Sequence, residues 1–175
     1  MTATSETLIA RLEALGIPHR THRHPPVFTV AENAALRGSL PGGHCKSLYL
    51  IDRKGGEWLV VVLEDRRLDL KRLSQRLGAP RFSFGSAERM RAVLGVEPGS
   101  VTPFALMNET AGGVQVVLDR AMLDLDPLHY HPLVNTATTA IAPGDLLRFI
   151  EACGHRPRIE ALDDLDLAAR GRADP

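Results

Sequence analysis

Residues 45–65, CKSLYLIDRKGGEWLVVVLED, constrain the fold more than any other stretch. Two apolar runs rich in β-branched and aromatic residues flank Arg53-Lys54-Gly55-Gly56, a sequence suited to a tight turn. That pattern predicts a β-hairpin. A two-stranded hairpin is marginal alone, so further strands or helices must cover it.

The rest of the chain supplies them. Ser5 is placed to cap a helix carrying Leu8, Leu12 and Leu15 on one face and stopped by Gly16. An extended piece, IPHRTHRH, follows. Thr29-Val30-Ala31-Glu32 has the form of a capping box opening a short helix toward Leu36. Residues 69–77 are amphipathic and end at Gly78 and Pro80, and Ser86 opens another helix through Leu94, stopped by Gly95. FALMN and VQVVLD read as strands about a Gly-Gly turn, with two more near His129–Pro132 and Thr136–Ile141. Pro143-Gly144-Asp145 opens a last helix. Strands outnumber crossovers, so the expected class is α+β, a mixed and mostly antiparallel sheet with surrounding helices.

At 175 residues the chain fits one domain with a real core. Residues 1–162 are expected to form it, with a polar, frayed tail at 163–175. No apolar run reaches the roughly 18 residues of a membrane span, and the N-terminus lacks the form of a secretory signal. Cys45 and Cys153 make neither a disulfide framework nor a zinc motif. A reducing cytoplasm is the default compartment. A formal net charge of zero argues against non-specific binding of long nucleic acid and against duplex DNA as a partner, while allowing a local basic patch.

Four places offer chemistry. Lys46 heads an apolar strand; its ammonium either meets an anion or oxyanion at low dielectric or snorkels to water. The loop GVEPGSVTPF, residues 95–104, is either an anion nest of backbone N–H groups or a plain connection. HRTHRH, residues 19–24, is a basic edge on which Arg20 and Arg23 can touch phosphate; it lacks the partners of a metal site. In HYHPLVNTATT, His129 and His131 share a side if the segment is a strand, and Asn135 and the threonines either read hydroxyls or finish a polar strand end. Alternation sends Cys45 and Lys46 to opposite faces, which makes Cys45 a buried, inert thiol. No nucleophile elbow, P-loop or dinucleotide fingerprint is present.

HPPVFTVAEN, HCKSLYLID, GVEPGSVTPFALMN and HPLVNTATTAIAPGDLLRFIEACGHRP together, over about residues 5–160, resemble the YbaK / prolyl-tRNA-synthetase-associated editing family. The likeness is closest to its freestanding ProX branch, the ProXp-ala-type alanyl-tRNA(Pro) deacylases. The resemblance implies a single-domain fold of mixed sheet with helices. It implies hydrolysis of a wrongly attached amino acid from tRNA, with no cofactor and no metal. Lys46 matches the family's functional lysine. Gly99, Ser100, Val101, Thr102 and Pro103 match its Gly-x-x-x-Pro loop around the aminoacyl end. Thr29 matches the start of the pocket wall, with Val27, Phe28 and Leu48 as candidate sieve residues. His131 and Asn135 fall in the HPLVN-like segment. The implied partner is the acceptor end of a mischarged tRNA(Pro), with prolyl-tRNA synthetase as a second. Alanine is the expected cargo. Alternatives are another mischarged tRNA, such as cysteinyl-tRNA(Pro), or a non-catalytic tRNA- or synthetase-binding module on the same fold.

Overall fold

The computed structural model describes residues 1–26, 35, 38 and 40–167. The expected capping-box helix at Thr29, with Val27 and Phe28 before it, lies outside them.

The hairpin forms as read. Gly43–Asp52 (β2) pairs antiparallel with Glu57–Leu63 (β3), from Cys45 opposite Leu63 to Ile51 opposite Glu57. The Asp52 carboxylate holds the turn, accepting from Lys54 N at 2.8 Å, Gly56 N at 3.0 Å and Trp58 Nε1 at 3.0 Å. A Cβ at residue 56 would collide with that carboxylate, which is why the turn needs glycine there.

Six further strands complete the sheet: His19–Arg23 (β1), Phe82–Phe84 (β4), Val114–Asp119 (β5), Leu128–Tyr130 (β6), Ala137–Ile141 (β7) and Arg158–Glu160 (β8). The order is β1-β7-β6-β2-β3-β5-β8, with β4 beside β2. Pairing is antiparallel for β1–β7, β6–β7, β2–β3 and β2–β4, and parallel for β2–β6, β3–β5 and β5–β8.

Side-chain alternation along the central strands builds a core on each face. Tyr49, Leu59 and Val61 pack with Leu8 and Leu12 of helix α1 (Ser5–Ala14), with Phe104, and with Phe149 of helix α4 (Pro143–Ala152). Leu50, Trp58, Val60 and Val62 pack with Leu73 and Leu77 of helix α2 (Leu70–Leu77), with Phe82, and with Leu162 and Leu165. Each such fully buried side chain contributes about 1.5–3 kcal/mol. Helix α3 (Ala87–Leu94) is capped by Ser86 and closed by Gly95, and α2 is capped by Asp69 and closed by Gly78.

Three expectations are corrected. The cap of α1 is Thr4, in a capping box with Thr7, because the Ser5 hydroxyl is spent on the Pro132 carbonyl. FALMN lies in a 3-10 helix, Pro103–Met107, not a strand: Thr102 Oγ1 accepts from Phe104 N at 3.3 Å and Pro103 presets the first turn. Residues 163–167 are not a frayed tail. Asp163–Leu165 forms a 3-10 turn with Leu165 only 2% exposed, and Leu167 N donates to Arg67 O at 2.8 Å.

Candidate functional site

The sheet splits along one edge of β2. There β2 pairs with β6 only at Gly43 and His44, and with β4 only from Leu50 onward. From Cys45 to Leu48 that edge has no strand partner among the described residues. A cavity of about 270 Å³ opens at the split, and Lys46, Gly99, Val101 and His131 all line it. Four of the residues expected to carry chemistry therefore meet at one place.

Lys46 is half-buried on the α2 face of the sheet. Its Nζ donates to the Arg66 carbonyl. The Arg66 guanidinium lies 3.1 Å from Asp119 and 3.8 Å from Asp166. Asp119 is fully buried and also accepts from Leu162 N at 3.4 Å. The lysine is thus held by a carbonyl that is itself held by a buried ion pair. Burial pulls its pKa below the ordinary lysine value, and the carboxylates of Glu64, Asp65 and Asp166 act in the opposite direction. One of the three ammonium donors is used on the Arg66 carbonyl.

Gly99 adopts φ +91°, a conformation that favours glycine. Ser100 N closes a turn onto Glu97 O at 3.0 Å. Among the described residues the N–H groups of Gly99 and Val101 meet no acceptor. Ser100, Thr102 and Pro103 are buried and do not line the cavity. Thr102 and Pro103 start the 3-10 helix, so they support the loop from behind.

The third wall is histidine. His131 Nδ1 faces the Ala137 carbonyl at 3.0 Å, so Nδ1 carries the proton and Nε2 is left as an acceptor. Burial holds His131 and His129 below the usual histidine pKa, hence neutral. His129 stacks on His44 with centroids 4.5 Å apart and donates Nε2–H to Pro41 O at 2.9 Å. Its Nδ1 and the Ser47 hydroxyl are buried without a partner among the described residues. His24 accepts at Nε2 from the Thr138 hydroxyl at 2.8 Å. The Cys45 thiol is pushed up to about 12 by burial and cannot serve as a nucleophile near neutrality.

Other expected residues lie elsewhere. Leu48 sits opposite Val60 and packs on the second core, so it is no wall of this cavity. Asn135 is half-buried in the turn before β7 and does not line the cavity. Arg20 and Arg23 are three apart on β1 and point to opposite faces. Arg23 lines a groove against α1, while Arg20 shares the face of His22 and His24. Val27, Phe28 and Thr29 lie outside the described residues. Of the threonines in HYHPLVNTATT, Thr138 lines the cavity; sequence reasoning missed Ser47, Glu64 and Tyr130 as lining residues and Arg66 and Asp119 as supports. Ser47 and Glu64 flank Lys46 and the end of β3 and were readable from alternation and the hairpin register; nothing in the sequence marks Asp119. Among the described residues no cluster of three His, Cys, Asp or Glu side chains is arranged to hold a metal ion, and no helix is long and apolar enough to cross a membrane.

Residues 24–149 match the family model for the aminoacyl-tRNA editing domain. Prolyl-tRNA synthetase associated domain-containing protein 1 of Danio rerio is 41% identical over 154 residues, covering 87% of this chain and 84% of that protein. Prolyl-tRNA editing protein ProX of Acetoanaerobium sticklandii is 32% identical over 151 residues, covering 86% of this chain and 92% of that protein. The solved structure of a hypothetical protein, APE2540, superposes with a TM-score of 0.69 at 26% identity, covering 87% of this chain and 97% of that one.

Proposed function

The chain belongs to the aminoacyl-tRNA editing domain family, and on that premise we propose that it is a trans-editing deacylase of mischarged tRNA(Pro), acting first on alanyl-tRNA(Pro). The observation that carries the reading is that Lys46, Gly99, Val101 and the neutral His131 line one cavity, with the Gly99 and Val101 N–H groups meeting no acceptor among the described residues.

An aminoacyl ester is already activated, so water can be the nucleophile. Water attacks the carbonyl carbon, the carbonyl oxygen becomes an oxyanion, and collapse breaks the bond to the terminal ribose oxygen. That oxygen takes up a proton, and the amino acid leaves as a carboxylate. The Gly99 and Val101 N–H groups are suited to the oxyanion. The Lys46 ammonium suits the terminal phosphate or the carbonyl side of the ester. The Nε2 lone pair of His131 can accept from the water or from the neighbouring ribose hydroxyl. The chemistry does not depend on the Cys45 thiol.

The preference for alanine rests on the limits of a first sieve. A synthetase pocket shaped for proline rejects the smaller alanine by only about 1–3 kcal/mol of lost apolar contact. A second, smaller site that admits alanine and excludes proline supplies the rest. The test is a deacylation assay on alanyl-, cysteinyl- and prolyl-tRNA(Pro). Alanyl ester should be hydrolysed much faster than prolyl; equal rates on the two would remove the sieve. Fastest turnover of the cysteinyl ester would reassign the cargo, and no turnover of any would leave a binding module.

A further inference from the structure

Phe84 is the one Phe, Tyr or Trp ring left exposed among the described residues, at 66%. It is not on a loose loop. Phe84 pairs with Leu50, and Gly85 N donates to Tyr49 O at 2.9 Å. A Cβ at residue 85 would strike the Tyr49 ring, so glycine is what lets the backbone lie this close. The strand is fixed and the ring stands out from it.

Its position matters. Phe84 shares a sheet face with its partner Leu50, and by alternation with Leu48 and Lys46. Four residue steps separate Leu50 from Lys46, about 13 Å at roughly 3.3 Å per step. Beyond the ring, Arg53 N donates to Arg81 O at 3.1 Å, which brings exposed Arg53, Lys54 and Arg81 together at the turn. Other arginines near this face, Arg66, Arg72 and Arg76, have carboxylate partners. Among the described residues these three cations make no direct ion pair, although the Lys54 charge is felt by the Asp52 carboxylate. Cavity, aromatic ring and unpaired cations thus follow one another along a single strand.

A single-stranded nucleic acid presents those features in that order: a reacting end, stackable bases and phosphates. We propose that Phe84 is a stacking platform for an unpaired base of the RNA strand that carries the ester, a few nucleotides before the acylated ribose, with Arg53, Lys54 and Arg81 receiving phosphates beyond it. This rests on the deacylase reading above and extends it to the partner's strand. A protein partner fits less well, because the ring is flanked by Ser83, Gly85, Ser86 and cations rather than by further apolar surface.

The experiment compares wild type, Phe84→Ala and Phe84→Tyr on alanyl-tRNA(Pro) and on the alanyl ester of adenosine, which has no upstream nucleotides. Loss of one base–aromatic stack corresponds to about a 5- to 150-fold effect. Phe84→Ala should lower kcat/KM on the tRNA by that factor through KM, with kcat held. It should leave the adenosine ester unchanged, and Phe84→Tyr should stay near wild type. An unchanged KM, or an equal loss on both substrates, overturns the proposal. So does a weakened affinity for prolyl-tRNA synthetase with the tRNA KM unchanged. If wild type hydrolyses neither ester, the deacylase reading fails by itself. Binding of a single-stranded RNA ending in CCA then decides: weakening by the same factor in Phe84→Ala supports the platform, and equal binding overturns it.

Discussion

Replacing Gly99 with valine tests whether the loop holds the reacting ester or merely connects two elements. At φ +91° a β-branched residue conflicts with its own backbone. Space is not the obstacle: a Cβ built at residue 99 has no heavy atom within 4 Å. The cost is therefore strain, about 1–3 kcal/mol for a non-glycine residue held in this region. For a chain of this size that lowers Tm by about 2–12 °C. The core on either side does not touch the position, so the fold should survive. If the loop relaxes to negative φ instead, the Gly99 and Val101 N–H groups reorient and the proposed oxyanion donors are lost. Loss of one oxyanion donor costs about 10²–10³ in kcat. The assay is single-turnover deacylation of alanyl-tRNA(Pro), with folding followed by circular dichroism and thermal melting. A lowered Tm with wild-type kcat would show that the loop is a connection and that the oxyanion is held elsewhere.

Lys46→Ala should fold and lose most turnover, and Lys46→Arg should rescue poorly because the forked guanidinium cannot replace a compact ammonium held by the Arg66 carbonyl; near-wild-type rates in the alanine variant, with folding confirmed, would take Lys46 out of the mechanism. Exhaustive chelation should leave deacylation intact; loss restored by zinc would return attention to His22 and His24. His131 and His129 have pKa values below the ordinary 6.5, so their neutral forms are favoured in the folded state. Their contribution to stability is complete above 6.5 and is lost as pH falls through the depressed folded values. The acid limb of the rate should likewise lie below 6.5, measured against His131→Ala; a limb at or above 6.5 would argue against a neutral His131 acceptor. Raising salt should weaken tRNA binding in proportion to the phosphates contacted; a salt-independent KM would exclude the cationic track.

The hairpin, the caps at Asp69 and Ser86 and the glycine stops were legible because each is local chemistry: turn residues, side-chain oxygens and left-handed positions. FALMN was misread from its apolar run, although Thr102-Pro103 before it carried a helix-start signal. Strands β4 and β8 are three residues each, too short for any period to show. Alternation puts Cys45 and Lys46 on opposite faces of β2, yet both line the cavity because it opens at the free edge of that strand, and the same rule places Leu48 beside Lys46. What no local rule reveals is the meeting of residues 46, 99 and 131. It depends on β2 parting from β6 after His44, a consequence of the whole sheet order. Asp119 was invisible for the same reason: its partner is 53 residues away.

The anchoring of Lys46 bears on where this chain can be cut. The stretch matched by the family model ends at residue 149, yet the Arg66 carbonyl that receives the lysine is steadied by Asp119, Leu162 N and Asp166. A protein trimmed after residue 162 would strip Leu165 from the second core and remove the Asp166 side of the clamp. Such a fragment keeps the whole stretch matched by the family model, together with Asp119 and Leu162, and loses the Asp166 contact that helps hold Arg66 beneath the lysine. The packing that supports Lys46 therefore extends past the signature, and a fragment cut after residue 162 should melt below the full chain.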